Sequence, residues 1–196
     1  MPNHIALLRG INLGGRNKVA MADLRAVVAG LGHADVTTYI QSGNVLFTAA
    51  APGPAGTPGT DTVALAQDMT AAIGATLGVT APVIVLTREE LAAIIAANPF
   101  PAEPDPRRVH AIVLSEPPWP ELTTRVEAAL AEVAAKGSGD EVTAIGRTLY
   151  LHTPEGYGRS DLAQALMRFV HAPKAGATGT VRNWATMTKL LLLCDA

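Results

Sequence analysis

The sequence predicts an α+β fold in which two similar units follow one another along the chain. Apolar residues at strand and helix spacing occur in the order β-α-β-β-α-β as far as residue 86. Beyond a proline-rich stretch at residues 99–106, the order β-α-β-β-α occurs again. The chain has 196 residues with 48% hydrophobic and only 16% charged side chains, so a disordered chain is excluded.

The first unit opens with a buried strand, because residues 4–11 form a short apolar run. A glycine-rich loop then leads into a helix, whose apolar face comprises Met21, Leu24, Val27, Val28 and Leu31. Two β-rich runs flank Ser42-Gly43, a pair that is typical of a hairpin turn. Residues 49–61 are rich in proline and glycine and predict a disorder-prone surface loop.

A second helix follows this loop, and its apolar residues at near-helical spacing are Leu65, Met69, Ile73 and Leu77. Residues 81–87 then predict a strand. The complete order of elements is that of the split β-α-β, or ferredoxin-like, α/β plait. Thr87 and Glu90 form a capping-box pattern that starts a further helix, which is expected to end near Asn98.

The second unit repeats this plan after the proline-rich stretch, which predicts a joint between two domains, residues 1–98 and 99–196. Its elements are a strand over residues 108–114, a helix, a strand pair around Gly146-Arg147, a helix capped by Ser160 and stopped by Pro173, and a strand near residues 178–181. A terminal helix begins near Asn183. The sequence thus predicts two ferredoxin-like plaits in tandem, the second with an added terminal helix.

Several classes of protein are disfavoured by composition. The net charge of −2 argues against a generally basic nucleic-acid binder, and the single cysteine, Cys194, cannot form an internal disulfide. No apolar run approaches the about 20 residues of a membrane span, and the start lacks a signal-peptide layout. We therefore expect a cytoplasmic protein without a membrane partner, and the sequence leaves its oligomeric state open.

Catalytic and metal-binding signatures are absent from the sequence. It contains no GxGxxG, HExxH or GxSxG pattern, and its five histidines are scattered without metal-ligand spacing. We expect no metal and no cofactor. The sequence nominates no nucleophile and leaves open whether the protein is an enzyme.

The glycine-rich loop within residues 7–18 is the first candidate site. Two segments, residues 1–22 and 162–194, hold seven basic residues and no acidic one, which predicts a positive patch if they meet in the fold. Glycines allow backbone N–H groups to converge on an anion before a helix N-terminus. The predicted contacts are Arg9, Asn12, Gly14, Gly15, Arg16 and Lys18. The loop is not a P-loop, because Arg16 stands where that motif needs lysine. An ordinary strand-to-helix turn with solvated cations is the alternative.

Residues 180–190 form the second candidate. Thr180 or Asn183 can cap the final helix, and Arg182 would then lie beside the positive end of that helix. A cation is unfavourable there unless an anion is near, so Arg182 and Asn183 are predicted to bind the same anion as the first loop. Pairing of Arg182 with a neighbouring acidic side chain is the alternative.

Two further motifs carry weaker predictions. Asn44, next to Ser42-Gly43, is a candidate hydrogen-bonding residue for a ligand, although an ordinary turn is the favoured interpretation of this motif. The glycine-rich segment 154–160 precedes a helix, but the neighbouring Glu155 and Asp161 disfavour an anion there.

The sequence resembles the bacterial family of domains of unknown function numbered 1697. The resemblance rests on residues 7–18, 38–47, 88–100, 149–162 and 180–191, and so covers essentially the whole chain. It implies a pair of α/β plaits and no established activity. Many members of the family carry a lysine where this chain has Asp161, and this departure argues against a phosphate-binding role for Ser160.

Binding of a small anionic ligand, such as a phosphorylated metabolite or nucleotide, is the function that these observations favour. Arginine suits oxyanions because its guanidinium can donate two parallel hydrogen bonds. Single-stranded nucleic acid, bound through its phosphates, is one alternative, disfavoured because the central strands of the first unit offer only Phe47 for base stacking. A structural or protein-interaction module without a ligand is the other alternative.

Overall fold

The computed structural model describes residues 1–15, 17–50, 61–171 and 177–196. Across these residues the chain is a mixed α+β protein with two four-stranded antiparallel sheets and six α-helices. Most of the predicted loop at residues 49–61 and the predicted helix stop at Pro173 lie outside the described residues. No helix in the described part of the chain is long and apolar enough to cross a membrane.

The first sheet has the strand order β2-β3-β1-β4, and every neighbouring pair is antiparallel. Its strands are β1 (His4–Leu8), β2 (Ala34–Tyr39), β3 (Asn44–Thr48) and β4 (Val83–Thr87). The accompanying helices are α1 (Met21–Gly30), α2 (Thr62–Leu77) and α3 (Arg88–Ala96). Side chains from one face of the sheet and from α1 and α2 form the core, among them Leu8, Leu24, Val28, Phe47, Met69 and Ile73.

The second sheet repeats this arrangement with the order β6-β7-β5-β8, again antiparallel throughout. Its strands are β5 (Val109–Leu114), β6 (Glu141–Ile145), β7 (Thr148–His152) and β8 (Gly179–Asn183). The helices are α4 (Pro120–Ala135), α5 (Asp161–His171) and α6 (Trp184–Cys194), and a short 3-10 turn spans Tyr157–Arg159. The core of this unit includes Ile112, Leu122, Val133, Leu151, Leu162 and Leu166. Both strand orders are compatible with the predicted plaits.

Side chains at the starts of the helices fix where several of them begin. Glu90 N–H donates to Thr87 Oγ1 (3.1 Å) and Thr87 N–H donates to a Glu90 carboxylate oxygen (2.9 Å), which confirms the predicted capping box before α3. Ser160 Oγ accepts from the N–H of Ala163 (2.8 Å), so Ser160 caps α5 as predicted. Asp61, the last residue of the predicted loop, accepts from two backbone N–H groups and caps α2.

Two backbone hydrogen bonds show which residues of the first unit correspond to which residues of the second. Leu8 N–H donates to the Gly43 carbonyl at 2.8 Å. In the second unit, Leu114 N–H donates to the Arg147 carbonyl at 2.9 Å. The last residue of β1 therefore corresponds to the last residue of β5.

The same correspondence extends to the other end of these central strands. Four residues before Leu8 and Leu114 stand two histidines, His4 and His110. His4 lies opposite Thr87, which starts α3, and His110 lies opposite Asn183, which starts α6. The two units thus share a register that was not visible as repeated sequence.

The chain divides into two compact units. One comprises Met1–Ala93 together with Lys189–Ala196, and the other comprises Ile94–Thr188. The predicted ranges, 1–98 and 99–196, differ from this division at the joint and in the last eight residues. In the first unit, Arg88 donates to both carboxylate oxygens of Asp195 (2.6 and 3.1 Å), which connects the end of the chain to the start of α3.

Candidate functional site

The loop between β1 and α1 has the backbone conformation that its glycines permit. Gly14 and Gly15 adopt φ values of 54° and 80°, in the left-handed region that favours glycine. No heavy atom lies within 4 Å of the position that a Cβ would occupy at either residue. The glycines are therefore needed for the turn itself, which exposes successive backbone N–H groups.

Two asparagine side chains hold this loop in place. Asn12 Nδ2 donates to the carbonyls of Val19 (3.0 Å) and Gln41 (2.9 Å), and Val19 N–H donates back to Asn12 Oδ1 (2.9 Å). Asn17 Nδ2 donates to the Gly10 carbonyl (3.0 Å). The amide of Asn12, which was predicted to contact a ligand, is thus hydrogen-bonded within and next to the loop. Asn17 was not predicted as a site residue.

A groove with a volume of about 730 Å³ lies between this loop and the start of α1. Three of the predicted site residues line it: Asn12, Gly15 and Lys18. Gln41, from the β2-β3 hairpin, and Asp23, from the first turn of α1, complete its polar wall. Asp23 was missed as a site residue because an acid in the first turn of a helix is expected on stability grounds alone.

Among the described residues, no side-chain hydrogen bond caps the start of α1. The N-cap residue is Ala20, whose methyl group cannot accept a hydrogen bond. The N–H groups of the first turn consequently keep the partial positive charge of a helix N-terminus. Lys18 is exposed just before this turn and adds a full positive charge at the same groove.

Arg9 lies immediately after β1 and is half-buried. Its backbone N–H donates to the Pro82 carbonyl (2.9 Å), and burial lowers the pKa of its guanidinium. Arg16 lies outside the described residues.

Asn44 is fully buried in the β2-β3 hairpin. Its Nδ2 donates to the Tyr39 carbonyl (3.1 Å) and to Ser42 Oγ (3.0 Å). Gly43, at φ 77°, leaves no room for a Cβ, which would lie 2.7 Å from the Cβ of Leu8. These contacts give Asn44 a role in the turn, the interpretation that the sequence also favoured for this motif.

Arg182 lies in β8 of the second unit and is only 8% exposed. Its Nη1 donates to Thr180 Oγ1 (2.8 Å) and to the Val181 carbonyl (2.8 Å), and burial lowers its pKa to about 10. Asn183 Oδ1 accepts from the N–H of Thr186 (2.8 Å), so Asn183, rather than Thr180, caps α6. The first loop and Arg182 belong to different units, and their convergence on one anion stays a prediction.

The aromatic side chain that nucleic-acid binding would need for base stacking is not accessible. Phe47 is fully buried in the core of the first unit, where its ring contacts those of His4 and His33 at centroid distances of 5.5 and 4.8 Å. A base cannot stack on a ring without exposed surface. The aromatic side chain that the sequence offered for stacking is therefore part of the core.

The segment at residues 154–160 surrounds a smaller groove of about 360 Å³. Ser160 Oγ donates to Asp140 Oδ2 (2.7 Å) while it caps α5, and Glu155 and Asp161 also line this groove. Lys136 and Arg159 line the groove too, so its three carboxylates outnumber two cations, which agrees with the expectation that an anion is disfavoured here. Asp140 was not recognised in the sequence because it stands 20 residues from its partner.

Other reactive groups give no sign of a catalytic centre. Within the described ranges, no group of three or more His, Cys, Asp or Glu residues is placed to hold a metal ion. Cys194 is buried, and burial raises the pKa of its thiol, which disfavours the reactive thiolate.

Comparisons with known proteins identify the fold and the family of this chain. No curated protein matches the chain. The chain is similar to the solved structure of the conserved bacterial protein SP0830 from Streptococcus pneumoniae, with a TM-score of 0.66 and 22% sequence identity. The similarity covers 100% of this chain and 99% of that one. This similarity shows the fold. A family described as "Protein of unknown function (DUF1697)" matches residues 1–150. The family predicted from the sequence motifs is confirmed: the chain belongs to the DUF1697 family.

Proposed function

We propose that the groove between the first loop and α1 binds a small anionic ligand, such as a phosphorylated metabolite or a nucleotide. The observation that carries this proposal is the meeting of Lys18 with the uncapped first turn of α1 at one groove. Helix N-termini favour anions through free N–H groups and the helix dipole, and a neighbouring ammonium group adds to that attraction.

The polar residues that line the groove restrict the class of ligand that it could bind. Asp23, in the same first turn of α1, and Gln41 also line the groove and can accept hydrogen bonds. A highly charged polyanion would be repelled by Asp23, whereas a ligand with one anionic group beside hydroxyl or amino donors would satisfy both the positive groups and these acceptors. The volume of about 730 Å³ is within the usual range of roughly 300–1,000 Å³ for small-molecule sites.

The other predicted site residues contribute charge, loop shape or hydrogen bonds to this proposal. Arg9 and Arg16 add positive charge to this segment of the sequence, although Arg16 lies outside the described residues. Gly14 shapes the loop, and Asn12 and Asn44 hold it and its neighbouring hairpin. Arg182 and Asn183 are proposed as further anion contacts in the second unit, since a charge in a low-dielectric interior interacts strongly with an opposite charge.

Ligand-dependent stabilisation tests the proposal with inorganic phosphate and adenosine monophosphate as probes. Saturating probe should raise the melting temperature, since a ligand at 100 times its Kd adds roughly 2.7 kcal/mol. Lys18→Glu should weaken binding about tenfold or more, because a charge-assisted contact becomes a repulsion. The matched control is Arg125→Glu, the same charge change at an exposed site in α4, outside both basic segments. Failure of both probes, or equal binding by both variants, would overturn the proposal.

The same experiment separates the two alternatives. Salt-sensitive binding of single-stranded RNA that Lys18→Glu abolishes, without a response to phosphate, would favour the nucleic-acid function. No response to any anion would favour an interaction module without a ligand.

We also propose that each unit is a ferredoxin-like plait. The order β-α-β-β-α-β, together with the sheet order β2-β3-β1-β4 and its repetition as β6-β7-β5-β8, supports this assignment. A cytoplasmic setting and the domain ranges 1–98 and 99–196 stay predictions.

A further inference from the structure

Two buried histidines occupy corresponding positions in the two units. His4 begins β1 and is 4% exposed, and His110 lies in β5 and is 7% exposed. Both side chains are on the face of the sheet that packs against the helices of their own unit, because His4 alternates with Ala6 and Leu8 and His110 with Ile112 and Leu114. Neither histidine belongs to the proposed anion site.

Each ring has a buried nitrogen without a hydrogen-bond partner. Nδ1 of His4 is 2.7 Å from Asn3 Oδ1, an acceptor, so Nδ1 carries the proton of the neutral ring. His4 Nε2 and His110 Nδ1 are buried and have no partner among the described residues. A proton added to either nitrogen would place a charged N–H donor in an apolar interior with nothing to accept it.

The surroundings of His4 disfavour the added proton on balance. Phe47 of β3 contacts the ring, and His33, after α1, would repel a positive charge on it. Glu89 and Glu90 of α3 act in the opposite direction, but burial is the largest effect, and the pKa of His4 is lowered.

The surroundings of His110 contain less charge. Leu151 of β7 and Asn183 of β8 lie opposite it, and Tyr157 of the 3-10 turn contacts its ring at a centroid distance of 4.3 Å. Tyr157 is the titratable group that faces the ring, and its own pKa is raised by burial, so it stays neutral in acid. Burial lowers the pKa of His110 to about 4.

We propose that His4 and His110 form a pair of corresponding acid-sensitive positions, so that the packed fold loses stability in acid because both buried rings resist protonation. The unfolded chain takes up a proton on each ring as the pH falls below about 6.5, whereas each buried ring in the folded chain takes one up only at a lower pH. Stability is therefore present in full above this pH and decreases toward pH 5. Because each histidine lies in a central strand, the response involves the packed core of both units.

Denaturant unfolding of the full chain at pH 7, 6 and 5 tests this proposal. For His110 alone, a pKa of about 4 in the folded chain against 6.5 in the unfolded one makes unfolding about 20-fold more favourable at pH 5 than at pH 7. His110→Leu should remove this part of the pH dependence, and His4→Leu should remove a further part. His152→Gln is the control, since both nitrogens of that ring already face carboxylates, of Glu103 (2.8 Å) and Glu141 (3.3 Å).

A measurement on the unaltered protein covers the case in which a leucine variant does not fold. Proton NMR resolves the ring signals of the histidines during an acid titration. In the folded protein, the signal of His110 should keep its neutral position at pH 5.5, and the signal of His4 should titrate at a lower pH than it does in the unfolded chain. Titration of both rings near pH 6.5, or equal unfolding equilibria at pH 7 and pH 5, would overturn the proposal.

Discussion

Gly43 is the residue whose replacement has the most direct consequence. A Cβ at this position would lie 2.7 Å from Leu8 Cβ and 3.0 Å from Ile11 Cδ1, and the φ of 77° is unfavourable for any side chain. Gly43→Ala should therefore destabilise the protein by roughly 2 kcal/mol or more in urea unfolding. Gly74→Ala is the control, because Gly74 lies in α2 with open space around it and should stabilise by roughly 0.5–1 kcal/mol. Equal effects of the two substitutions would contradict this explanation.

At the same scale, the sequence indicates which backbone conformation a residue type permits, whereas it does not indicate the partner of a side chain. Gly14 and Gly15 adopt the left-handed conformation that glycine permits, and Gly15 and Lys18 line the groove. Asn12 was expected to face a ligand, but its amide bonds to Gln41, 29 residues away. Side chain to backbone contacts over such distances depend on how the hairpin packs against the loop, and spacing along the chain does not contain that information.

Ser160 at the start of α5 illustrates an element whose cap has a second role. Its Oγ accepts from Ala163 N–H and donates to Asp140, a carboxylate that is only 9% exposed. Ser160→Ala removes the cap and one donor to a buried charge, so the loss should be about 2–3 kcal/mol. Asp61→Ala removes an exposed cap from α2 and should cost about 1 kcal/mol. Urea unfolding of both variants measures the difference, and a loss at Ser160 no larger than at Asp61 would count against the role of Asp140.

The elements themselves were the most predictable part of the molecule. Periodicity and cap residues placed both ends of α3 and the start of α5 within a residue or two, because these signals are local. α2 begins at Thr62, directly after the predicted loop, but the capping role of Asp61 was not predicted, since a run of proline and glycine on one side hides the cap. Arg182 was expected at the opening of a helix and lies in β8, because strand pairing with β5 extends to Asn183.

The correspondence between the two units is a property of the whole molecule that the sequence does not display. It rests on paired backbone hydrogen bonds and on the positions of His4 and His110, and the surrounding residues differ in type. Sheet register constrains which positions face the core, whereas it tolerates many apolar side chains at each of them. Two units can therefore share a register after their sequence similarity has been lost.

The end of the chain belongs with the first unit, and one exposed ion pair makes that connection testable. Arg88 binds both oxygens of Asp195, and this contact lowers the pKa of the carboxyl group, so the pair is present at neutral pH and is lost in strong acid. Asp195→Asn should lower the melting temperature slightly in dilute buffer, and the difference from wild type should disappear in about 1 M salt, where charges are screened within roughly 3 Å. Glu116→Gln is the control, since Glu116 is exposed and has no ion pair among the described residues. A loss at Asp195 that persists in high salt would show that packing of the chain end, rather than the ion pair, makes the connection.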